Sequence, residues 1–312
     1  MNALRLHAHD GSRRLVYEAA PEPRPGAGEV LVRVHAAGVI PTELDWAPTR
    51  TARDGTPRRL PLIPGHELSG VVEAWGEEVG GFRVGDAVYG MNDWYADGAL
   101  AEYCVASAAA LAPKAHALDH VQAAAVPISA LTAWEGILER GDVGPGRRVL
   151  VHGGAGAVGT FAVQLAAWRG AHVIATCSAR NAALVRELGA DEVVDYATAR
   201  FEDVARDLDL VFDTAGGDAL VRSLPLLRPG GTALTIAADA EGSADPRVRD
   251  AFFIVAPDAG NLAEIGQYLD DGTLRVVVAE VVPLAEAARA FERRRGGPAG
   301  KTVVSVVEPR SV

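Results

Sequence analysis

The residues between Arg147 and Asp195 carry the clearest chemical signal in the chain. A glycine-rich turn, Gly153-Gly154-Ala155-Gly156-Ala157-Val158-Gly159, directly follows the apolar run Val149-Leu150-Val151. Glycines at such a turn let the backbone fold tightly and approach a pyrophosphate, whose charge is met by the free N–H groups and positive dipole end of the next helix. That helix is predicted from Thr160 to Arg169, with Phe161, Val163, Leu165, Ala166 and Trp168 spaced by small residues. A second apolar run, His172 to Cys177, returns after Gly170. Strand, helix and strand together span about 30 residues, the unit that a dinucleotide-binding fingerprint requires. A dinucleotide is the expected ligand, cradled by Gly153, Gly154, Ala155, Gly156, Ala157 and Val158.

The end of the second strand bears on which dinucleotide binds. An NAD site presents Asp or Glu about 20 residues after the turn to hold the ribose hydroxyls, whereas an NADP site drops that acid and supplies a cation for the 2′-phosphate. Here the chain reads Ser178-Ala179-Arg180-Asn181. There is no carboxylate to repel a phosphate; Ser178 can donate a hydrogen bond and Arg180 can grip the phosphate as a fork. The same loop leaves a plainer role open, with Ser178 capping the next helix and Arg180 solvated. The missing acid favours NADPH.

The elements that must position this turn divide the chain. Short runs rich in β-branched residues, Glu29 to His35, Gly70 to Glu73, Asp86 to Tyr89 and Ala101 to Val105, are separated by Pro- and Gly-containing turns and read as an all-β region. A polar segment from Trp46 to Leu60 interrupts them without periodicity and reads as a surface loop, a flexible lid beside the site. Helices are predicted from Asp119 to Ala125 and from Leu131 to Arg140, ended by Gly141 and Gly144-Pro145-Gly146. Strands then follow at Arg148 to His152, His172 to Cys177, Glu192 to Asp195, Leu210 to Asp213, Thr232 to Ile236 and Phe252 to Val255. Six strands with crossovers predict a doubly wound parallel sheet, hence an α/β fold. A helix from Asn261 to Asp270, an extended run from Leu274 to Val282, a helix from Leu284 to Arg294 and a strand from Lys301 to Val307 complete the chain. That tail is expected to rejoin the β region, so residues 1–118 and 263–312 form one domain and residues 119–262 an inserted nucleotide domain.

Composition sets the outer limits. The chain has 312 residues, 49% of them hydrophobic, enough for two buried cores. A net charge of −11 argues against a nucleic-acid surface. The triplet Arg293-Arg294-Arg295 is short and reads as the cationic end of a helix. Two cysteines, Cys104 and Cys177, stand far apart without metal-ligand spacing, so neither a disulfide framework nor a zinc knuckle is indicated and a reducing cytoplasm fits. No apolar stretch reaches the length of a membrane span, and the N-terminus has no apolar core or cleavage site. The expected protein is cytoplasmic and binds a small-molecule substrate, with no nucleic acid or membrane as partner.

Beyond the turn, the chain resembles the medium-chain dehydrogenase/reductase superfamily, and within it the quinone oxidoreductase-like branch. The resemblance runs along essentially the whole chain. It is carried by Pro64-Gly65-His66-Glu67-Leu68-Ser69-Gly70, Gly81-Phe-Arg-Val-Gly-Asp-Ala-Val88, Val126-Pro-Ile-Ser-Ala-Leu-Thr-Ala-Trp134, Leu188-Gly-Ala-Asp191, Asp213-Thr-Ala-Gly216, Leu227-Arg-Pro-Gly-Gly231 and Gly300-Lys301. It implies a GroES-like β domain around an inserted Rossmann sheet, with the active site in the cleft between them. Family members with catalytic zinc hold it by two cysteines and the histidine of Gly-His-Glu. Here His66 is present, but the cysteine positions hold Ile40 and Ile128, which have no lone pair for a metal. No metal is expected, and His66-Glu67 reads as inherited scaffold or an active-site acid.

Without a Lewis acid, alcohol oxidation lacks its usual stabiliser and reduction is the expected direction. Hydride from NADPH would add to a quinone or to the β-carbon of an enone, where hydrogen bonding suffices for the developing charge. Glu43, Asp45, Trp46, His66 and the cluster Asn92-Asp93-Trp94-Tyr95 are candidates to line the cleft. Tyr95 and His66 would act on the substrate, and Trp46 with Trp94 would stack on it. Core packing for the tryptophans and a turn role for Asp93 stay open beside these roles. The resemblance further implies that Thr132 lies near the nicotinamide and phosphate bridge, that Ser178 and Arg180 meet the 2′-phosphate, and that Tyr196 packs near the adenosine. It places Phe253 and Val255 along the nicotinamide amide, and Ala215 and Ala237 at the same crevice. An alcohol dehydrogenase-type enzyme and a non-catalytic NADPH-binding redox sensor remain as alternatives. Relatives that pair edge strands suggest a homodimer through Phe252 to Val255.

Overall fold

The computed structural model describes residues 1–8, 14–292 and 296–307. The triplet Arg293-Arg294-Arg295 lies outside the described residues, so the helix expected to Arg294 is followed only to Glu292, as a 3-10 helix from Leu284.

Two strands near the N-terminus, β1 (Asn2–Leu6) and β2 (Leu15–Ala19), form an antiparallel hairpin. The next five are β3 (Glu29–Val39), β4 (Glu67–Trp75), β5 (Ala87–Met91), β6 (Tyr103–Ser107) and β7 (Leu111–Pro113). At the far end of the chain, β13 (Val278–Pro283) and β14 (Lys301–Ser305) join them. These seven strands make one sheet in the order β13-β14-β3-β4-β5-β7, with β6 also paired to β3. In β3, Val30, Val32 and Val34 are fully buried, and this period-2 branched row makes β3 the spine of the sheet. The strand continues past Val34 through His35, Ala36 and Ala37 to Gly38. A Cβ at Gly38 would lie 2.5 Å from Glu67 Oε1, so glycine there lets a neighbouring carboxylate lie across the strand.

The central part of the chain forms a parallel sheet from β8 (Arg148–His152), β9 (His172–Cys177), β10 (Glu192–Asp195), β11 (Leu208–Asp213) and β12 (Leu227–Thr235), ordered β10-β9-β8-β11-β12. Strand order reverses beside β8, which places the crevice of the sheet at the C-terminal ends of β8 and β11. The Rossmann-type arrangement is as expected, but with five strands in the ladder. The run Phe252 to Val255 is reduced to one bridge, Phe252 to Thr235, with Phe253 N–H donating to the Thr235 carbonyl at 3.1 Å. The Val255 carbonyl is taken by a tryptophan side chain instead of a strand, and Pro257, two residues further on, has no N–H with which to resume the pairing.

Two further differences matter for the site. The helix expected at Leu131 begins at Pro127, whose ring suits the first helical position, and runs to Trp134 before a π-helical turn from Glu135 to Glu139. The Trp46 to Leu60 segment is not a free lid. It contains a short helix, Ala47–Arg50, and is tied down where Arg58 donates to Pro48 O and Ala96 O, each at 3.2 Å, and where Arg53 pairs with Asp93.

Candidate active site and cofactor cleft

The glycine turn is built for a close backbone approach. Gly153 has φ +74°, a left-handed conformation that glycine adopts without strain, and a Cβ on Gly159 would lie 2.1 Å from the Gly153 carbonyl oxygen. The helix Ala157–Trp168 starts at Gly156 with no capping side chain, so its first-turn N–H groups and dipole face the crevice. Gly156, Ala157 and Val158 are accessible while Gly154 and Ala155 are buried beneath them. The turn is also stitched to the chain's far end, since Gly300 N–H donates to Ala155 O at 2.9 Å. These features fit a pyrophosphate group.

The adenosine end lies where β9 and β10 finish side by side, Cys177 pairing with Asp195. Ser178 and Tyr196 therefore follow adjacent strand ends, and Tyr196 is 57% exposed. Ser178 Oγ accepts from Asn181 Nδ2 at 3.2 Å and caps no helix. Arg180 is exposed, with Nη1 3.5 Å from Gly296 O. A serine hydroxyl, an exposed guanidinium and an aromatic face are thus gathered in one place, with no carboxylate at the end of β9.

The loops that carry Ala215 and Ala237 also meet. A Cβ on Gly216 would stand 3.0 Å from Ala237 Cβ. Both loops hang from Asp213, whose buried carboxylate accepts from Ala215 N (2.9 Å), Gly216 N (3.1 Å) and Thr235 Oγ1 (3.1 Å). Thr132 is buried and its hydroxyl donates back to Ile128 O at 2.6 Å within its own helix. The Phe253 ring turns into the core, stacked on Phe212 at 6.0 Å and covered by Arg140, so this residue offers the cleft its backbone alone. The Val255 carbonyl accepts from Trp94 Nε1 at 3.4 Å, joining the two sides of the cleft.

Across from the nucleotide crevice, Trp46 and Trp94 meet edge to face at 5.3 Å, and Trp94 lies 5.3 Å from the His66 ring. His66 is 3% exposed and its Nδ1 is 2.9 Å from Glu43 Oε1. The expectation that His66 and Trp46 share a site fits this cluster. Tyr95 stands beside it, its ring 4.5 Å beneath the Arg53 guanidinium and its N–H donating to Asp93 Oδ1. Arg53 and the Tyr95 backbone hold the Asp93 carboxyl below its usual range against the opposing effect of burial, which is the larger single influence. Asn92 is structural: Nδ2 donates to Asp97 O at 2.8 Å and fixes the turn.

Glu67 has no exposed surface and pairs with Lys301 on β14, while Ile128 N–H donates to its Oε2 at 3.0 Å. Burial pushes the Glu67 carboxyl up, and Lys301 opposes that. Ile40 and Ile128 pack in the same apolar cluster as Trp94 and Val255. The donor set does not suit zinc. Both Glu67 oxygens are engaged away from His66, and burial pushes the Cys104 thiol up to about 12. Among the described residues, no group of three or more His, Cys, Asp or Glu side chains is arranged to hold a metal.

Residues 26–116 match the alcohol dehydrogenase GroES-like domain, and residues 188–304 match a family described as zinc-binding dehydrogenase. The mitochondrial NAD(P)H oxidoreductase RTN4IP1 of Danio rerio is 35% identical, over 90% of this chain and 84% of its own length. The chain belongs to the medium-chain dehydrogenase/reductase superfamily. Its fold follows the quinone oxidoreductase of Coxiella burnetii with a TM-score of 0.89 at 28% identity, covering 98% of this chain and 99% of that one. A mycobacterial protein solved with NADPH superimposes with a TM-score of 0.82 at 30% identity, over 98% of this chain and 100% of the other.

Two features escape a reading of the sequence. Glu43 is among the cleft candidates, but its bond to His66 joins residues far apart in sequence. Lys301 stands in a motif without a role, and its one signal is a lysine placed directly before the apolar run Thr302-Val303-Val304.

Proposed function

We propose that this chain is an NADPH-dependent oxidoreductase that works without zinc and delivers hydride to a quinone or an α,β-unsaturated carbonyl compound. One observation carries the reading: where zinc-dependent relatives need two cysteines, Ile40 and Ile128 pack in one apolar cluster with Trp94 and offer no lone pair to a metal. Such a cluster suits a planar conjugated acceptor better than an alcohol that must be ionised.

NADPH, when bound, supplies the hydride. The turn from Gly153 to Val158 holds its pyrophosphate, Ser178 and Arg180 its 2′-phosphate, Tyr196 its adenosine, and Thr132, Ala215, Ala237, Phe253 and Val255 border its path. Trp46 and Trp94 position the acceptor by stacking, Tyr95 supplies a hydrogen bond to its oxygen, and His66 faces it as an acid. Residues 1–118 and 263–312 form the catalytic domain around the nucleotide domain of residues 119–262. Two buried thiols that are not paired suit a reducing compartment, and we place the protein in the cytoplasm as a homodimer through the segment from Phe252 to Val255. No helix among the described residues is long and apolar enough to cross a membrane.

The test is NADPH oxidation across quinones, enones and aldehydes. Turnover of quinones or enones with little on aldehydes supports the reading. Activity on alcohols and aldehydes alone, or saturable NADPH binding without turnover of any of them, contradicts it and favours an alcohol dehydrogenase or a redox sensor.

A further inference from the structure

Glu43 sits in the one-turn 3-10 helix Glu43–Asp45, directly after β3, and is 1% exposed. Its Oε1 accepts the Gly65 N–H at 2.6 Å and meets His66 Nδ1 at 2.9 Å. A ring nitrogen facing a carboxylate oxygen carries the proton, which makes Nδ1 the donor and leaves Nε2 as the working nitrogen. That Nε2 is buried and has no hydrogen-bond partner among the described residues, and the same is true of Glu43 Oε2. Buried polar atoms of this kind are rare and mark a place kept for another group.

The nearby carboxylates differ in their partners. Asp93 is matched by Arg53, and Glu67 by Lys301. Among the described residues Glu43 has no lysine or arginine paired with it, and the His66 imidazole is the basic group that faces its buried carboxyl. The Trp94 indole lies against the imidazole, with 5.3 Å between the ring centroids.

We propose that Glu43 and His66 form a proton-donating dyad that equips the site for α,β-unsaturated carbonyl compounds, with His66 as the acid and Glu43 as its positioning residue. This rests on the reductase reading above. NADPH, when bound, would supply a hydride whose electron pair forms the new C–H bond at the β-carbon, and the alkene pair would shift into an enolate. The enolate α-carbon then takes the proton from Nε2. Neutral imidazole remains, still donating through Nδ1 to Glu43, and water restores the lost proton. A quinone places its protons on oxygen and takes them from water, so it depends far less on the dyad.

The full-length protein is assayed with NADPH on cyclohexenone and phenanthrenequinone. His66→Asn keeps an N–H that reaches Glu43 but deletes Nε2, and Glu43→Gln removes the counter-charge. NADPH titration by fluorescence shows that each variant retains its cofactor site. His66→Asn should lower enone turnover about 100-fold more than quinone turnover. Glu43→Gln should act in the same direction, about 10-fold, and move the pH profile of enone turnover. In His66→Ala, added imidazole should restore part of the enone rate. Equal losses on both acceptors, no loss on the enone, or no imidazole rescue in a variant that binds NADPH would overturn the dyad alone. A wild-type protein that reduces neither acceptor would overturn the reductase reading, and the dyad with it.

Discussion

The pair between Glu67 and Lys301 joins the start of β4 to the start of β14, and removing one partner tests how far the fold relies on it. Both side chains are essentially inaccessible, at 0% and 4% exposed. Lys301→Met keeps the length and apolar character of the stem but leaves the Glu67 carboxylate unmatched. A buried pair broken on one side costs about 3–5 kcal/mol. For a chain of this size that corresponds to a fall of about 10 °C in Tm. The double variant Glu67→Gln with Lys301→Met removes both charges, and the introduced amide oxygen would still accept the Ile128 N–H. It should therefore recover to within about 1–2 kcal/mol of wild type. Urea unfolding followed by tryptophan fluorescence, run on the four proteins of the cycle, measures this. A loss below about 1 kcal/mol for Lys301→Met would mean that Glu67 is protonated and neutral in the fold. A double variant as unstable as the sum of the singles would mean that packing, not charge, sets the cost.

Other consequences can be checked on the same protein. Arg180→Ala should weaken NADPH binding about 10- to 100-fold, the worth of a charged hydrogen bond, and leave NADH affinity nearly unchanged, as read by fluorescence titration. Gly159→Ala drives a methyl to within 2.1 Å of the Gly153 carbonyl and should raise the NADPH Kd by at least about 10-fold, through distortion of the turn. His152, buried directly before that turn, is pushed down from 6.5 to about 4 by burial. The unfolded chain takes up this proton below about pH 6.5 and the folded chain does so only near its lowered value. Stability should hold above that range and fall from about pH 6.5 to 4, by up to about 3 kcal/mol. His152→Asn should flatten that decline in urea titrations at several pH values.

What the sequence disclosed follows the range over which each interaction acts. Strands β8, β9 and β10 were legible to the residue, because buried branched runs bounded by glycine or acidic residues encode them locally. The sixth strand failed because four apolar residues do not reveal that Trp94, distant in sequence, takes the Val255 carbonyl and that the ladder stops after one bridge. The Trp46 to Leu60 segment lacked periodicity and looked loose, yet Arg53 and Arg58 bind it to the turn that carries Trp94 and Tyr95. In the site, the glycine turn and the missing acid after β9 were readable from local spacing. The bonds from Glu43 to His66 and from Lys301 to Glu67 join separate elements, and only the folded sheet sets them side by side.

Activity and metal content measured on one preparation test the account's central claim most directly. NADPH oxidation with an enone or a quinone is followed while zinc per chain is determined, before and after chelation. The account predicts sustained turnover with substoichiometric zinc and no loss on chelation. Stoichiometric zinc, removed together with activity and restored with it, would contradict the account.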